Sequence, residues 1–329
     1  MKLAAVSVTR QGDEIGKKLK GTLDLQLYSS YKNESFNFKE VCKKLMEEAE
    51  GIIFIASTGI AVRGIGAFLQ GKDKDPAIVV VDCMGKFSIS LAGGHLGGAN
   101  NLALRVAEIL GATPVITTAT DSMNIAAPDV IAKENELIIE DLHKAKKIAA
   151  LLVDGEAVGF LDEERKIRLP KGYVDKNDSI KGIVYVTNKA EMKENQSVEE
   201  IIQLRLIRKN IVLGMGCRKA VDEVKVREFV VDTLRKLNLD LRAVKAVSTV
   251  EIKKDEKALI KLSEFLNCPL KIHSIEEIKN IEHKYKGSDF VKKTIGVRAV
   301  CEPCVELEGA KLITEKLSFE GITLCVGMV

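Results

Sequence analysis

The sequence predicts an α/β protein, in which two mostly parallel-sheet α/β units flank a smaller, variable α+β unit. Its 329 residues allow two or three domains at about 150 residues each. Hydrophobic residues make up 46% of the chain and charged residues 29%, so each domain can bury a core. In the first and last thirds, continuous apolar runs alternate with helical spacing, which is typical of parallel sheets covered on both faces.

The first predicted unit spans residues 1–131. Its helical spacing predicts helices at 38–50 and 100–110. Its apolar runs predict strands at 3–9, 51–57, 77–82, 87–91 and 113–118.

The second predicted unit, residues 132–208, has less glycine and more clustered charge, which predicts the smaller α+β unit. Two predicted strands, at 157–161 and 182–187, flank a Pro-Gly turn. The third unit, residues 209–329, alternates again. We expect strands at 211–213, 244–252, 270–273 and 322–326, with helices at 223–237 and 256–266.

The overall charge excludes several classes of protein. Fifty basic residues against forty-seven acidic ones leave a net charge of +3, and aromatic residues are only 5% of the chain, which argues against a nucleic-acid partner. No apolar run is long enough for a membrane span, and no targeting segment is recognisable. Seven scattered cysteines indicate a reduced protein, so we expect a cytoplasmic location.

A glycine-rich stretch after the predicted strand at 87–91 is the first candidate site. Glycine allows a positive φ and a close approach of a ligand, and the following helix start supplies free N–H groups. The histidine at its centre can accept a proton near neutral pH. The alternative is a tight turn whose histidine only caps or packs. The candidate residues are Gly93, Gly94, His95, Gly97, Gly98 and Asn100.

Two further segments follow predicted strands of the same unit. Thr58, Gly59 and Arg63 come after the strand at 51–57, where Arg63 could bind a carboxylate with two hydrogen bonds. A solvated helix arginine explains the same residue. The other segment contains Thr117, Thr118 and Asp121, which we expect at the same sheet edge. An ordinary helix N-cap is the alternative there.

The third unit contributes the remaining candidates. Gly214 and Gly216 suggest a glycine loop with Arg218 at a helix start, although a dinucleotide fingerprint fails because Lys219 occupies its third glycine position. Lys254 could face a cleft, or it could belong to a solvated cap. Cys301 and Cys304 form a single CxxC pair, and without a second pair we predict no metal site, so that Glu302 between them is the more interesting residue.

Taken together, six blocks in this order resemble one known family. They are TGIAVR (58–63), SLAGGHLGGANNLA (90–103), PVITTATD (114–121), LGMGCRK (213–219), STVEIKKDE (248–256) and VCEP (300–303). This set resembles the cobalt-precorrin-5A hydrolase family, protein G of the anaerobic cobalamin pathway. Residues 132–208 carry little of the pattern.

The resemblance implies a reaction on a cobalt-bearing tetrapyrrole. Water opens a δ-lactone on the ring A acetate, a two-carbon fragment leaves as acetaldehyde, and the product is cobalt-precorrin-5B. The cobalt arrives with the substrate, so the resemblance implies no cofactor of the protein's own. It leaves open other corrin-pathway enzymes and a second copy of this chain as partners.

We can assign hypothetical roles on chemical grounds. Lactone opening needs an activated water and a cradle for the oxyanion, so His95 is the expected general base and N–H groups of residues 97–100 the expected cradle. His95, Asp121 or Glu302 could move the later proton. Cations at Arg63, Arg218 and Lys254 suit the acidic arms of the substrate.

The expected site is a cleft between the first and third units, with the GGHLGG and GMGCRK segments facing each other. Two other functions remain open at this point. One is a tetrapyrrole carrier without catalysis, and the other is a nucleotide- or flavin-binding enzyme.

Overall fold

The computed structural model describes residues 2–31, 33, 35–71, 74–94, 97–175, 179–192 and 201–329, without the side chains of 121, 122 and 290. The chain forms two compact units. Unit 1 comprises Met1–Lys133, Ala149–Glu156 and Pro170–Gly172. Unit 2 comprises Glu134–Ile148, Ala157–Leu169 and Tyr173–Val329. The three-domain bounds inferred from composition stay a prediction.

Unit 1 is built on one sheet with the strand order β2-β1-β3-β4-β5-β6 among the described residues. All neighbouring strands are parallel except β4 and β5, which run antiparallel. The elements are β1 (Leu3–Ser7), α1 (Arg10–Lys20), β2 (Leu25–Ser29), α2 (Phe38–Glu48), β3 (Gly51–Ile55), α3 (Thr58–Ile65), β4 (Ala77–Val81), β5 (Phe87–Ala92), α4 (Ala99–Leu110), β6 (Thr113–Val115), α5 (Ala119–Ser122) and α6 (Pro128–Glu134).

The central strands of this sheet are apolar on both faces because helices cover both. One core contains Ile53 and Val79 and receives Leu102 of α4. The opposite core contains Phe54 and receives Leu45 of α2. Every residue of β1, β3 and β4 is buried, which explains why their sequences read as continuous apolar runs.

The middle of the chain forms a second sheet, with the order β7-β10-β9-β8 in the described part. Strand β9 is parallel to both of its neighbours, and β7 is antiparallel to β10. The elements are β7 (Leu137–Ile139), α7 (Leu142–Val153), β8 (Val158–Asp162), β9 (Gly182–Thr187) and β10 (Ile202–Arg208).

The last third forms a third sheet, whose described strands have the order β13-β12-β11-β16-β14, with β15 paired to β16. Strands β11, β12 and β13 are parallel, and β16 is antiparallel to β11. The elements are β11 (Ile211–Cys217), α8 (Glu223–Lys236), β12 (Val244–Val250), α9 (Lys257–Phe265), β13 (Leu270–His273), α10 (Ile275–Ile281), α11 (Asp289–Ile295), α12 (Cys301–Leu307), β14 (Lys311–Leu312), β15 (Leu317–Phe319) and β16 (Ile322–Met328). Three-residue 3₁₀ turns occur at Leu241–Ala243, Glu251–Lys253 and Glu282–Lys284.

These sheets confirm the predicted α/β class. Helices α8 and α9 pack on one face of the third sheet, where Val230 and Leu259 are fully buried. Helix α12 covers the other face, with Val305 against Val212. None of the helices in the described ranges combines the length and the apolar character that crossing a bilayer requires.

Candidate functional site

The glycine-rich turn of unit 1 folds back on the chain that precedes β4. Gly93 has φ +69°, and a Cβ there would lie 2.4 Å from the carbonyl oxygen of Pro76. Gly98, the N-cap of α4, has φ +87°. The backbone path therefore requires glycine at both positions, whether or not a ligand binds. His95, the predicted base, lies outside the described residues.

The predicted oxyanion cradle is only partly available. The N–H groups of Ala99 and Asn100 donate to the carbonyl oxygens of Gly93 and Gly94, at 2.9 and 3.1 Å. These two amides are therefore already engaged, and the cradle at residues 97–100 stays a prediction for the others. Among the described residues, no partner accepts a hydrogen bond from the amides of Gly97 and Gly98, which leaves these two donors for an anion.

Asn100 connects the turn to its surroundings. Its side chain is buried, accepts a hydrogen bond from Ser90 Oγ at 2.6 Å and donates one to Thr118 Oγ1 at 3.2 Å. A Cβ at Gly94 would lie 3.2 Å from Asn100 Oδ1 and 3.5 Å from Thr118 Oγ1. The structure thus brings together three predicted residues, and adds Ser90, which sequence reasoning missed. Alternation along β5 could have singled out Ser90 as a polar residue on a half-buried face.

The remaining residues of this segment differ in exposure. Thr117 is exposed and Thr118 half-buried. Asp121 belongs to the short helix α5, and its side chain is not among those described. Its catalytic role stays a prediction.

The predicted segments of unit 1 do not share one sheet edge, and that expectation is wrong. Ile55 at the end of β3 pairs with Val81, whereas Ala92 at the end of β5 pairs with Ile78 near the start of β4. Five-residue strands separate the two edges by about 13 Å. The reason is the antiparallel direction of β5, which sends the glycine turn, and the parallel β6 beside it, to the opposite edge from Thr58.

Arg63 lies on α3, which begins at Thr58 on the other edge. Its guanidinium folds over the first turn, since an ideal Cβ at Gly59 would lie 3.7 Å from both terminal nitrogens. The residue is exposed, and in the described part of the chain it pairs with no carboxylate. Arg63 is therefore available to bind an acidic ligand. The same exposure is expected of an ordinary solvated arginine on a helix, so both alternatives stay open.

The predicted glycine loop of the third sheet is wrong, because Gly214 and Gly216 lie inside strand β11. A Cβ at Gly214 would lie 1.9 Å from the carbonyl oxygen of Cys301, and one at Gly216 would lie 2.6 Å from Thr323 Oγ1. These glycines let α12 and β16 pack closely on the strand. A role in substrate binding stays a prediction, now without a loop to carry it.

Arg218 follows β11 at the carboxyl edge of this sheet. The Arg218 N–H donates to the carbonyl oxygen of Gly321 at 2.9 Å. The Arg218 side chain passes close to Gly321, since a Cβ at Gly321 would lie 2.6 Å from Arg218 Cδ. Ala220 has φ +55°, and its N–H donates to Glu256 Oε1 at 3.0 Å. The exposed Arg218 is therefore held by its backbone while its guanidinium faces solvent.

Lys254, the predicted cation on the neighbouring strand end, is exposed, whereas Lys253 beside it is the enclosed one. The Lys253 side chain is only 12% exposed, and its Nζ lies 3.7 Å from a carboxylate oxygen of Glu256. Sequence reasoning missed Lys253 because the two lysines are adjacent and only the 3₁₀ turn at Glu251–Lys253 decides which one turns inward.

Cys217 is next to this pair. Burial raises the pKa of its thiol to about 11, with the charge of Lys253 acting in the opposite direction. The thiol therefore stays protonated at neutral pH and is a poor nucleophile.

Glu302 is buried on α12, and its Oε2 accepts a hydrogen bond from Cys301 Sγ at 3.0 Å. Cys304 belongs to a different apolar cluster, so the two cysteines of the CxxC motif do not form a pair. The third member beside Cys301 and Glu302 is Cys325 of β16. The proposed proton transfer by Glu302 thus gains no geometric support.

Comparison with known proteins gives the family. Three family models match: Cobalamin synthesis G N-terminal over residues 40–121, Cobalamin biosynthesis central region over 126–205, and Cobalamin synthesis G C-terminus over 211–327. The cobalt-precorrin-5A hydrolase of Salmonella typhimurium is 32% identical, with 99% of this chain and 97% of that protein covered. The chain belongs to the cobalamin synthesis G family.

Two further proteins are similar to this chain. The cobalt-precorrin-5A hydrolase of Priestia megaterium is 30% identical over 92% of this chain and 88% of its own length. A solved structure from Sulfolobus solfataricus, described as a homologue of cobalamin biosynthesis protein G, covers 99% of this chain and 97% of its own, at 21% identity and a TM-score of 0.41. The resemblance inferred from the six motif blocks is confirmed.

Proposed function

We propose that this member of the cobalamin synthesis G family is a cobalt-precorrin-5A hydrolase, which opens the ring A δ-lactone and releases acetaldehyde to give cobalt-precorrin-5B. The observation that carries the proposal is the near full-length similarity to two hydrolases of that name. The proposal is also supported by the hydrogen bonds among Ser90, Asn100 and Thr118, which form a polar network beside the glycine turn.

We assign lactone opening to the glycine turn. His95 removes a proton from water, which attacks the lactone carbonyl carbon. The amides of Gly97 and Gly98 face no acceptor among the described residues, so they are our candidates to stabilise the tetrahedral oxyanion. Collapse of that intermediate breaks the ester bond and leaves a carboxylate and a hydroxyl group.

The second step is cleavage of a carbon–carbon bond. A base removes the proton of the new hydroxyl, its electrons form the acetaldehyde carbonyl, and the electron pair of the broken bond passes to the macrocycle. His95 and Asp121 are the proposed bases, and Glu302 is the weaker candidate because it is buried beside a thiol. The proposal requires no cofactor, since cobalt enters as part of the substrate.

Binding of the acidic substrate arms is assigned to cations. Arg63 and Arg218 are exposed, and Arg63 has no carboxylate partner in the described ranges. We add the enclosed Lys253 and regard the exposed Lys254 as the weaker candidate. The predicted cytoplasmic location, the pathway partners and the homodimer are part of this proposal and rest on the sequence alone.

The test is incubation with cobalt-precorrin-5A under anaerobic conditions. Mass spectrometry should show the gain of one water and then the loss of C₂H₄O, with acetaldehyde recovered by trapping. His95→Ala should reduce turnover at least about a hundredfold, as expected for a general base. His143→Ala is the matched control, because His143 is exposed on α7. Substrate binding without aldehyde would identify a carrier, and a wild-type rate in His95→Ala would remove His95 from the chemistry.

A further inference from the structure

A buried group of three ligand-type side chains lies where α12 meets the third sheet. Cys301 and Glu302 come from the start of α12, and Cys325 comes from β16. Their exposed fractions are 1%, 6% and 0%. Their ligand atoms all lie within 4.8 Å of one another, and Cys301 Sγ is 3.0 Å from Glu302 Oε2.

Inert buried thiols would explain the two cysteines, but they do not explain the carboxylate. A buried carboxylate is costly unless a cation compensates its charge. Among the described residues, no lysine, arginine or histidine forms an ion pair with Glu302. The two cysteines lie in an apolar cluster with Val212, Val305 and Ala310, and Cys325 Sγ donates to the carbonyl oxygen of Thr314 at 3.7 Å. The Glu302 carboxylate thus has two sulfur atoms as its neighbours, and together these three groups are the kind that a metal ion binds.

We propose that Cys301, Glu302 and Cys325 bind a divalent metal ion of the zinc type. Thiolates together with a carboxylate are ligands for Zn²⁺ and for ions of similar preference, such as Co²⁺. Around tetrahedral zinc, two sulfur ligands lie about 3.8 Å apart and a sulfur and an oxygen about 3.5 Å apart. The observed group needs only small side-chain adjustments to reach these distances. A water molecule completes the fourth position.

This site differs from the one that the CxxC spacing suggests. Cys304 is buried in a neighbouring cluster with Val250 and Ile278, and its carbonyl oxygen accepts a hydrogen bond from Ser248. The second sulfur ligand instead comes from a strand far along the chain. The absence of a second CxxC pair therefore does not argue against this site.

Metal binding must displace the thiol protons. Binding of the ion by two thiolates therefore releases two protons. Metal retention should weaken as the pH falls.

The experiment uses the full chain, stripped of metal and kept reduced and anaerobic. After incubation with Zn²⁺ and desalting, elemental analysis should find about one equivalent per chain, and titration with Co²⁺ should give thiolate-to-cobalt charge-transfer absorption. Cys325→Ser and Glu302→Gln should each lower the affinity at least about tenfold. Cys304→Ser is the matched control and should bind like the wild type, because it is equally buried on the same helix but lies in another cluster.

The wild-type titration decides the matter even where a variant fails to fold. Less than a tenth of an equivalent of zinc and no charge-transfer band would overturn the proposal. Binding by Cys325→Ser at wild-type affinity would also overturn it, because the ion would then lie elsewhere. Turnover is not measured, so failure of the proposed hydrolase function leaves these outcomes unaffected.

Discussion

The first and third sheets both contain an antiparallel strand among parallel ones, but the consequences for their motifs are opposite. In unit 1 the antiparallel strand β5 itself leads into the glycine turn and sends it away from the edge where Thr58 begins α3. In the third sheet the antiparallel β16 begins beside the end of β11, since Ile322 pairs with Cys217. Arg218 and Lys253 therefore lie at the same edge of the third sheet as the start of β16.

The difference teaches that a glycine motif has two physical uses. In unit 1 the glycines allow left-handed backbone in a turn that carries polar side chains. In the third sheet they remove side chains so that a helix and a strand can pack closely on β11. Predictions can therefore be arranged as tests of this contrast, from the largest expected effect to the smallest.

Gly214→Ala tests close packing in the third sheet. The new Cβ would lie 1.9 Å from a backbone oxygen of Cys301, so the helix or the strand must move. We expect a loss of about 3 kcal/mol or more in the free energy of unfolding, measured with urea. Gly21→Ala is the control and should change the free energy of unfolding by less than about 0.5 kcal/mol. Gly21 has φ −67°, and the atom nearest to a new Cβ there would be 3.4 Å away. Unchanged stability would return Gly214 to a ligand-binding role.

Arg205→Met tests how the middle sheet joins the rest of unit 2. Arg205 is paired with Glu140 at 2.9 Å and Asp240 at 3.5 Å, and it donates to the carbonyl oxygen of Lys189 at 2.6 Å. Its removal leaves two partly buried carboxylates without this partner, so we expect a loss of about 3 kcal/mol in the free energy of unfolding at neutral pH.

The same variant has a predicted pH dependence. Burial acts to raise the pKa of Glu140, but Arg205 outweighs it and holds the pKa below the usual 4.5. Burial also acts to raise the pKa of Asp240, but Arg242 and, to a smaller extent, Arg205 outweigh it and hold that pKa below the usual 3.8. Lowered carboxylate pKa values add stability above these ordinary values, and that stability is lost as the pH falls through the folded-state values. Between pH 7 and about pH 3, the free energy of unfolding of the wild type should therefore fall by more than that of the variant, when unfolding is measured at both pH values. Equal decreases in the two proteins would contradict this explanation.

Asn100→Ala tests the polar network of unit 1. It removes hydrogen bonds to Ser90 and Thr118 from a buried site, so we expect a loss of about 2 kcal/mol in the free energy of unfolding. Turnover should fall as well, since the glycine turn loses its support. The exposed neighbour Asn101 provides the control, and Asn101→Ala should change stability by less than about 0.5 kcal/mol. Normal turnover in a folded Asn100→Ala would show that the glycine turn is not part of the active site.

Lys253→Met and Lys254→Met distinguish the two candidate cations of the third sheet. We expect Lys253→Met to raise KM for the cobalt lactone about tenfold, or roughly 1.4 kcal/mol, and Lys254→Met to raise it less than about twofold. The reason is that Lys253 is enclosed beside Glu256, whereas Lys254 is exposed. Lys257→Met, at the exposed start of α9, is the control. The reverse order would restore Lys254 as the binding residue.

Strands with continuous apolar sequences can be located well from the sequence. Apolar runs predict strands at residues 51–57 and 77–82, and the structure has β3 at Gly51–Ile55 and β4 at Ala77–Val81. Helix α1 is not predicted, because it has only two large apolar residues, Ile15 and Leu19, and packs through Gly12 and Gly16 as well. A Cβ at Gly16 would lie 2.7 Å from Leu27, so close contact with the sheet adds to a short hydrophobic pattern.

The sequence by itself determined the α/β class, the order of most elements and the motif blocks that place the chain in its family. These properties depend on residue type and on local spacing, which can be read along the chain. Only the tertiary structure decided the direction of β5, the choice of Lys253 over Lys254 as the enclosed cation, and the pairing of Cys301 with Cys325 instead of Cys304. Each of these depends on how distant segments pair, and pairing between distant segments leaves no local pattern in the sequence.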